Sequence, residues 1–161
     1  MQLKILGALF AVLASLVYAR EKTSVMKRRC EACRALLRLV IECKTNVECF
    51  CAPLSLILEK YKDDFLEKSG FLAVARKKGL IAATEQCADS ICLGEEEKNI
   101  MVEFSSSFGR GFAKSEARGC EYYIERLKNT AEKLEKEAAE KKKLTYTLSV
   151  SCSVMAVLLF I

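Results

Sequence analysis

The stretch AKSEARGCEYYIERLKNTAEKLEKEA, residues 113–138, decides the fold. Its apolar residues are Ala113, Ala117, Cys120, Ile124, Leu127, Ala131, Leu134 and Ala138, at alternating steps of four and three. That is a heptad stripe, the signature of a helix with one face buried against other helices. The positions between are filled mainly by Glu and Lys, as on a solvated face. Only Gly119 weakens the helix, by about 1 kcal/mol relative to Ala. Nothing interrupts it before Leu144, so the spacing predicts one helix running into the apolar residues that follow.

Those residues, 144–161, form an apolar run in which only Thr, Ser and the Tyr hydroxyl are polar, and short hydroxyl side chains can bond back to helix carbonyls. Lys141, Lys142 and Lys143 stand directly before it. A second apolar run, residues 3–19, opens the chain and is broken only by Lys4 and Ser15. At about 1.5 Å per residue it reaches roughly 25 Å, enough for a thin hydrocarbon core. It also reads as a cleavable signal peptide, with Val17-Tyr18-Ala19 as the cleavage site. A lipid-anchor signal at the C-terminal end fits poorly, because no uncharged spacer precedes the tail.

Charge favours two uncleaved anchors. Of the 26 basic residues all but Lys4 lie between Arg20 and Lys143, with all 21 acidic ones. Arg20, Lys22, Lys27, Arg28 and Arg29 follow the first run, and Lys133, Lys136 and the lysine triplet precede the second. The positive-inside rule then places the middle in the cytoplasm and both termini outside. The expected organisation is an N-terminal transmembrane helix over 1–20, a cytoplasmic helical domain over 21–143, and a C-terminal transmembrane helix over 144–161. The fold class is all-α, an antiparallel helical bundle flanked by the two spans, with the lipid bilayer as a partner.

Within the middle, the spacing of Met26, Cys30, Cys33, Leu37 and Val40 predicts a helix over 22–44. A connector follows through Thr45 and Asn46. Pro53 opens a second helix, whose face is Leu54, Ile57, Leu58, Tyr61 and Phe65. Gly70 and Gly79 bracket a short helix over 71–78, and another runs over 80–92 to Gly94. Glu95, Glu96 and Glu97 open a helix with the face Ile100, Met101, Phe104 and Phe108, their acids complementing its dipole. Gly109-Arg110-Gly111 makes a tight joint before the heptad helix.

The chain has 161 residues and a net charge of +5, with basic and acidic residues interleaved, which does not point to nucleic acid. It has no His, so the commonest general base and metal ligand is missing. The nine Cys suit either secreted disulfides or a reducing compartment, where Cys is a small buried apolar residue. A cytoplasmic middle favours the second. Cys30-x-x-Cys33 lacks the partner pair that zinc needs and the helix N-terminus that a redox thiol needs. Cys49-x-Cys51 and the Cys87/Cys92 pair are poor substitutes. The glycine joint is too short for a phosphate loop. No cofactor, metal site or catalytic residue is expected. The charge runs Arg76-Lys77-Lys78 and Glu95-Glu96-Glu97 read first as solvated faces or caps. Together with Arg110 they are also the candidate docking residues for a charged cytoplasmic partner.

The chain resembles the stage III sporulation protein AB family of endospore-forming bacteria over nearly its whole length. The residues that carry this are Leu3-Lys4-Ile5-Leu6-Gly7-Ala8, Pro53-Leu54, and Phe108-Gly109 continuing through Ile124-Glu125-Arg126-Leu127 into the terminal run. Phe112 and Glu116 stand where members often carry an acidic residue and a Gln. Glu42 or Glu48 takes the place of the acidic residue upstream of Pro-Leu. The resemblance implies a membrane-anchored adaptor or platform subunit in the assembly linking mother cell and forespore, in the outer forespore membrane. It implies a cytoplasmic domain like that of type II secretion inner-membrane platform proteins. The implied partners are the sporulation ATPase, stage III sporulation protein AA, and other stage III channel proteins. The chain is also similar in its cysteine pattern to saposins, which would make it an exported, disulfide-bonded lipid-binding protein. A membrane thiol oxidoreductase using Cys30 and Cys33 is the third reading.

Overall fold

The computed structural model describes the backbone of residues 2–109 and 113–160, and side chains mainly within 20–109 and 115–148. All the described regular structure is helical: α1 Gln2–Phe50, α2 Leu54–Lys60, α3 Asp64–Lys68, α4 Phe71–Lys78, α5 Leu80–Cys87, α6 Glu95–Ser107 and α7 Ala113–Phe160. The chain divides into two compact units. One comprises residues 1–27 with 135–161, and the other residues 28–134.

The 28–134 unit holds the hydrophobic core. From α1 it takes Ala32, Cys33, Leu36, Leu39, Val40, Cys43 and Val47, at most 5% exposed. Helical spacing puts these on one face. That face is turned from the expected one: Cys33 and Val40 lie on it, while Cys30 and Leu37 sit half-buried at its edge. α7 runs antiparallel to α1 here, since Cys33 lies against Leu127 and Lys44 against Glu121. The heptad stripe performs as its spacing predicts at Ala117, Cys120, Leu127, Ala131 and Leu134, all buried. Ile124 is only half-buried, and Thr130 joins the buried face. The Ala113 side chain lies outside the described residues.

α1 does not stop at Lys44, and the connector expected at Thr45 and Asn46 is helical. Thr45 Oγ1 donates to the Ile41 carbonyl (3.1 Å), and Asn46 Nδ2 donates to the Glu42 carbonyl (2.9 Å). Both side chains are thereby satisfied on the preceding turn. Buried Val47 then holds the next turn against the core. The helix ends at Cys51, whose φ of 49° is left-handed and whose N–H reaches the Val47 carbonyl at 3.1 Å. This is an αL cap, with Cys in a place usually taken by Gly, and the Ala52 N–H adds a longer bond to the Asn46 carbonyl at 3.4 Å.

The second predicted helix is two helices. Tyr61 is extended, and Asp63 starts α3 by accepting from the Phe65 and Leu66 amides, each at 3.1 Å. An Asp cap outweighs the apolar spacing that ran on through Tyr61 and Phe65. α4 has its expected bounds, between Gly70 (φ 79°) and Gly79 (φ 89°). α5 ends at Cys87 rather than Cys92. The chain leaves through a Schellman turn, with Cys92 (φ 57°) left-handed, Leu93 N–H on the Ala88 carbonyl (2.9 Å) and Cys92 N–H on that of Asp89 (3.2 Å). In α6, Ile100, Met101 and Phe104 are buried and Phe108 caps the end.

The 1–27 and 135–161 unit consists of the first part of α1 and the second part of α7. Among the described residues no helix is long and apolar enough to cross a membrane. The side chains of residues 1–19 and most of those beyond 148, on which the two expected spans rest, lie outside the described residues.

Candidate functional site

The sequence-selected charges divide into structural and solvent-facing groups. Glu97 belongs to the first and corrects the expectation of a solvated acidic run. It is fully buried, and both its oxygens accept from Arg29: Nε to Oε1 at 2.9 Å and Nη2 to Oε2 at 3.0 Å. Helical rotation explains the split among the three acids, because only the third turns toward the core with Ile100, Met101 and Phe104. A planar guanidinium matches a carboxylate in this two-bond geometry, which is what makes burying the carboxylate tolerable. Gly94 sits so close that a Cβ there would stand 1.9 Å from Arg29 Nη2.

Arg76 is structural too. Its Nε donates to the Leu58 carbonyl (2.9 Å) and its Nη2 to that of Tyr61 (2.7 Å), closing carbonyls at the end of α2. Lys77 and Lys78 remain exposed at the end of α4, where the helix dipole favours cations, and Lys78 reaches Gln86 Oε1 at 3.3 Å. Glu95 is exposed. Glu96 faces α7, accepting from Thr130 Oγ1 (3.4 Å) and Lys133 Nζ (3.5 Å). Further along the same helix Glu103 pairs with Arg126. Arg110 and Gly111 of the joint lie outside the described residues, and the Gly109 N–H donates to Glu116 Oε2 at 2.8 Å.

Sequence reasoning missed the seam between α6 and α7. Two shallow clefts lie along it, of about 270 Å³ beside Ile100 and Arg126 and about 310 Å³ beside Phe104 and Tyr123. Phe104 stacks edge-on with Tyr123 (5.6 Å between centroids) and tilts against Phe108 (5.2 Å). At Gly119 an added Cβ would meet nothing within 4 Å, so this weak point of the heptad helix faces open space. The signal available in the sequence was the Tyr122-Tyr123 pair beside the stripe. Of the charge runs, Glu96 lines the cleft beside Ile100 and Arg126, and Lys77 and Lys78 line neither cleft.

Of the cysteines, Cys120 lines the cleft beside Phe104 and Tyr123, and Cys33 and Cys43 line neither cleft. Cys33 is fully buried, its Sγ 3.6 Å from the Leu127 carbonyl, and burial, with the Glu97 charge adding to it, pushes its thiol up to about 12. Burial raises Cys43 as well, and pushes Cys120 up to about 11. A nucleophilic thiol needs the opposite shift. Cys49 and Cys51, in contrast, are exposed at the end of α1. Among the described residues no three metal-binding side chains cluster.

The model of the stage III sporulation protein AB family matches residues 4–161. No curated protein and no solved structure matches the chain.

Proposed function

We propose, from the premise that this chain belongs to the stage III sporulation protein AB family, that it is a membrane-anchored adaptor docking a cytoplasmic ATPase. A role in stage III of sporulation comes with the family itself. The adaptor reading says what the chain does there: it holds a helical domain at the membrane, and that domain receives the ATPase, stage III sporulation protein AA. The activity is mechanical and not catalytic.

One observation carries the reading. The family match takes in both apolar ends, from which the twin anchors are read, and the charged middle. The flanking lysines and arginines give its orientation. Lys77, Lys78 and Glu95 supply exposed charge for a partner, and the aromatic cleft of the α6–α7 seam supplies apolar surface. Arg76 and Glu97 leave the docking set, because both are committed to the fold. An exported saposin-like protein is not favoured, because the whole chain matches a different family. A thiol oxidoreductase loses its ground in the raised Cys33 thiol.

The test uses the full chain in detergent with the purified ATPase. Co-elution that is lost on reversing Lys77 and Lys78 to Glu supports the reading. Absence of any complex, with sporulation intact after deletion of the gene, refutes it.

A further inference from the structure

We infer that the juxtamembrane end of this chain is a binding site for an anionic phospholipid, seated between the two long helices where they leave the charged middle. The inference rests on the membrane-anchored reading above.

A cleft of about 730 Å³ lies within the 1–27 and 135–161 unit, between residues 21–27 of α1 and 138–145 of α7. That is the size of a small-molecule site. Its walls divide by chemistry. Val25, Met26 and Leu144 present apolar surface, and Ala138 and Ala139 are small enough to leave room beside them. Val25 is 52% and Leu144 62% exposed, so both offer apolar surface to an occupant.

The rim is cationic. Lys27, Lys141 and Lys142 line the same cleft against one carboxylate, Glu21. Lys141 lies 3.8 Å from Glu137 on its own helix, an exposed i,i+4 pair of small consequence. An occupant must therefore be apolar at one end and negative at the other. A membrane phospholipid with an anionic headgroup has that build, with its phosphate among the lysines and its glycerol and upper acyl segments against Val25, Met26 and Leu144. Lys heads reach toward phosphate from flexible stems while their methylenes cover apolar surface. Basic pockets on the cytoplasmic side of paired spans bind such headgroups. Free phosphate satisfies only the rim and leaves the apolar wall bare. A soluble acidic peptide satisfies the lysines alone and likewise leaves that wall bare.

The test is native mass spectrometry of the full chain reconstituted in nanodiscs of phosphatidylcholine with phosphatidylglycerol or cardiolipin, then released by mild activation. The expected result is retention of the anionic lipid over phosphatidylcholine. The triple variant K27Q/K141Q/K142Q should lose affinity by on the order of a hundredfold, the effect of three juxtamembrane lysines. K27R/K141R/K142R should keep it. Equal retention of phosphatidylcholine, retention unchanged in the Gln variant, or displacement by millimolar inorganic phosphate would each overturn the proposal. The nanodisc step separates the two readings. A chain that inserts but shows no lipid preference removes this site and leaves the anchors standing, whereas a chain that fails to enter nanodiscs removes both.

Discussion

Arg29 on α1 and Glu97 on α6, 68 positions apart, meet in a two-bond ion pair whose carboxylate is wholly buried. Arg29 itself keeps 30% of its side chain exposed. The pair ties the first helix to the start of the sixth. Its value is asymmetric, because losing one partner leaves a charge in the core. R29A should therefore destabilise the 28–134 unit by about 3 kcal/mol, read from urea unfolding. The double replacement R29M/E97L should cost clearly less than the single one. Equal losses would show that the charge carries no weight.

Gly94 stands against that pair. A Cβ would fall 1.9 Å from Arg29 Nη2 and 2.6 Å from Glu97 Oε2, so G94A must push the guanidinium aside. The expected loss is about 1–3 kcal/mol, in the range of a disturbed buried network. In the R29A background most of that loss should vanish, and a double-mutant cycle measures this. Additive losses would mean that the effect of Gly94 does not run through Arg29.

Alkaline pH should weaken the fold. The Cys33 thiol is raised from 9.0 to about 12 by burial, so the folded chain keeps a proton that the unfolded chain gives up. Its contribution is present below pH 9 and is lost as pH rises from 9 toward 12. Cys120, pushed up to about 11, and Cys43, also raised, act in the same direction. Urea midpoints measured between pH 8 and 11 should fall, and C33A should flatten the slope. Over the same range Cys49 and Cys51 should react with iodoacetamide well before Cys33 does.

Asp63 serves two elements. It caps α3 and accepts from Arg38 Nη2 at 2.6 Å. D63A should cost about 1 kcal/mol for the cap, with little added for a partner that is half exposed. D63N, which retains the cap oxygen, should lose less. An equal loss in both would shift the weight to the Arg38 contact.

Local signals carry much of this fold. The heptad stripe predicts α7, and the pair Gly70 and Gly79 predicts both bounds of α4. Boundaries fail where a side chain has a choice of partner. Thr45 and Asn46 read as a connector, yet both bond back to their own helix. Asp63 reads as an interior residue, yet it caps. The acidic run reads as one surface, but the rotation of a single helix sends Glu97 inward. Arg76 reads as a docking cation, and the α2 carbonyls claim it. No local pattern reveals a partner 68 positions away.

By itself the sequence determined the class of fold, the heptad helix, the apolar ends and the family, because periodicity, charge and order along the chain are properties of the chain alone. Tertiary structure decided which charges are structural and which are offered to solvent. It paired Arg29 with Glu97, buried Cys33 against Leu127, and opened a lysine-rimmed cleft between two helix segments more than a hundred residues apart in the chain. The physical reason is desolvation. Whether a charge or thiol is buried, and what meets it there, depends on packing between distant segments, which spacing along one helix does not encode.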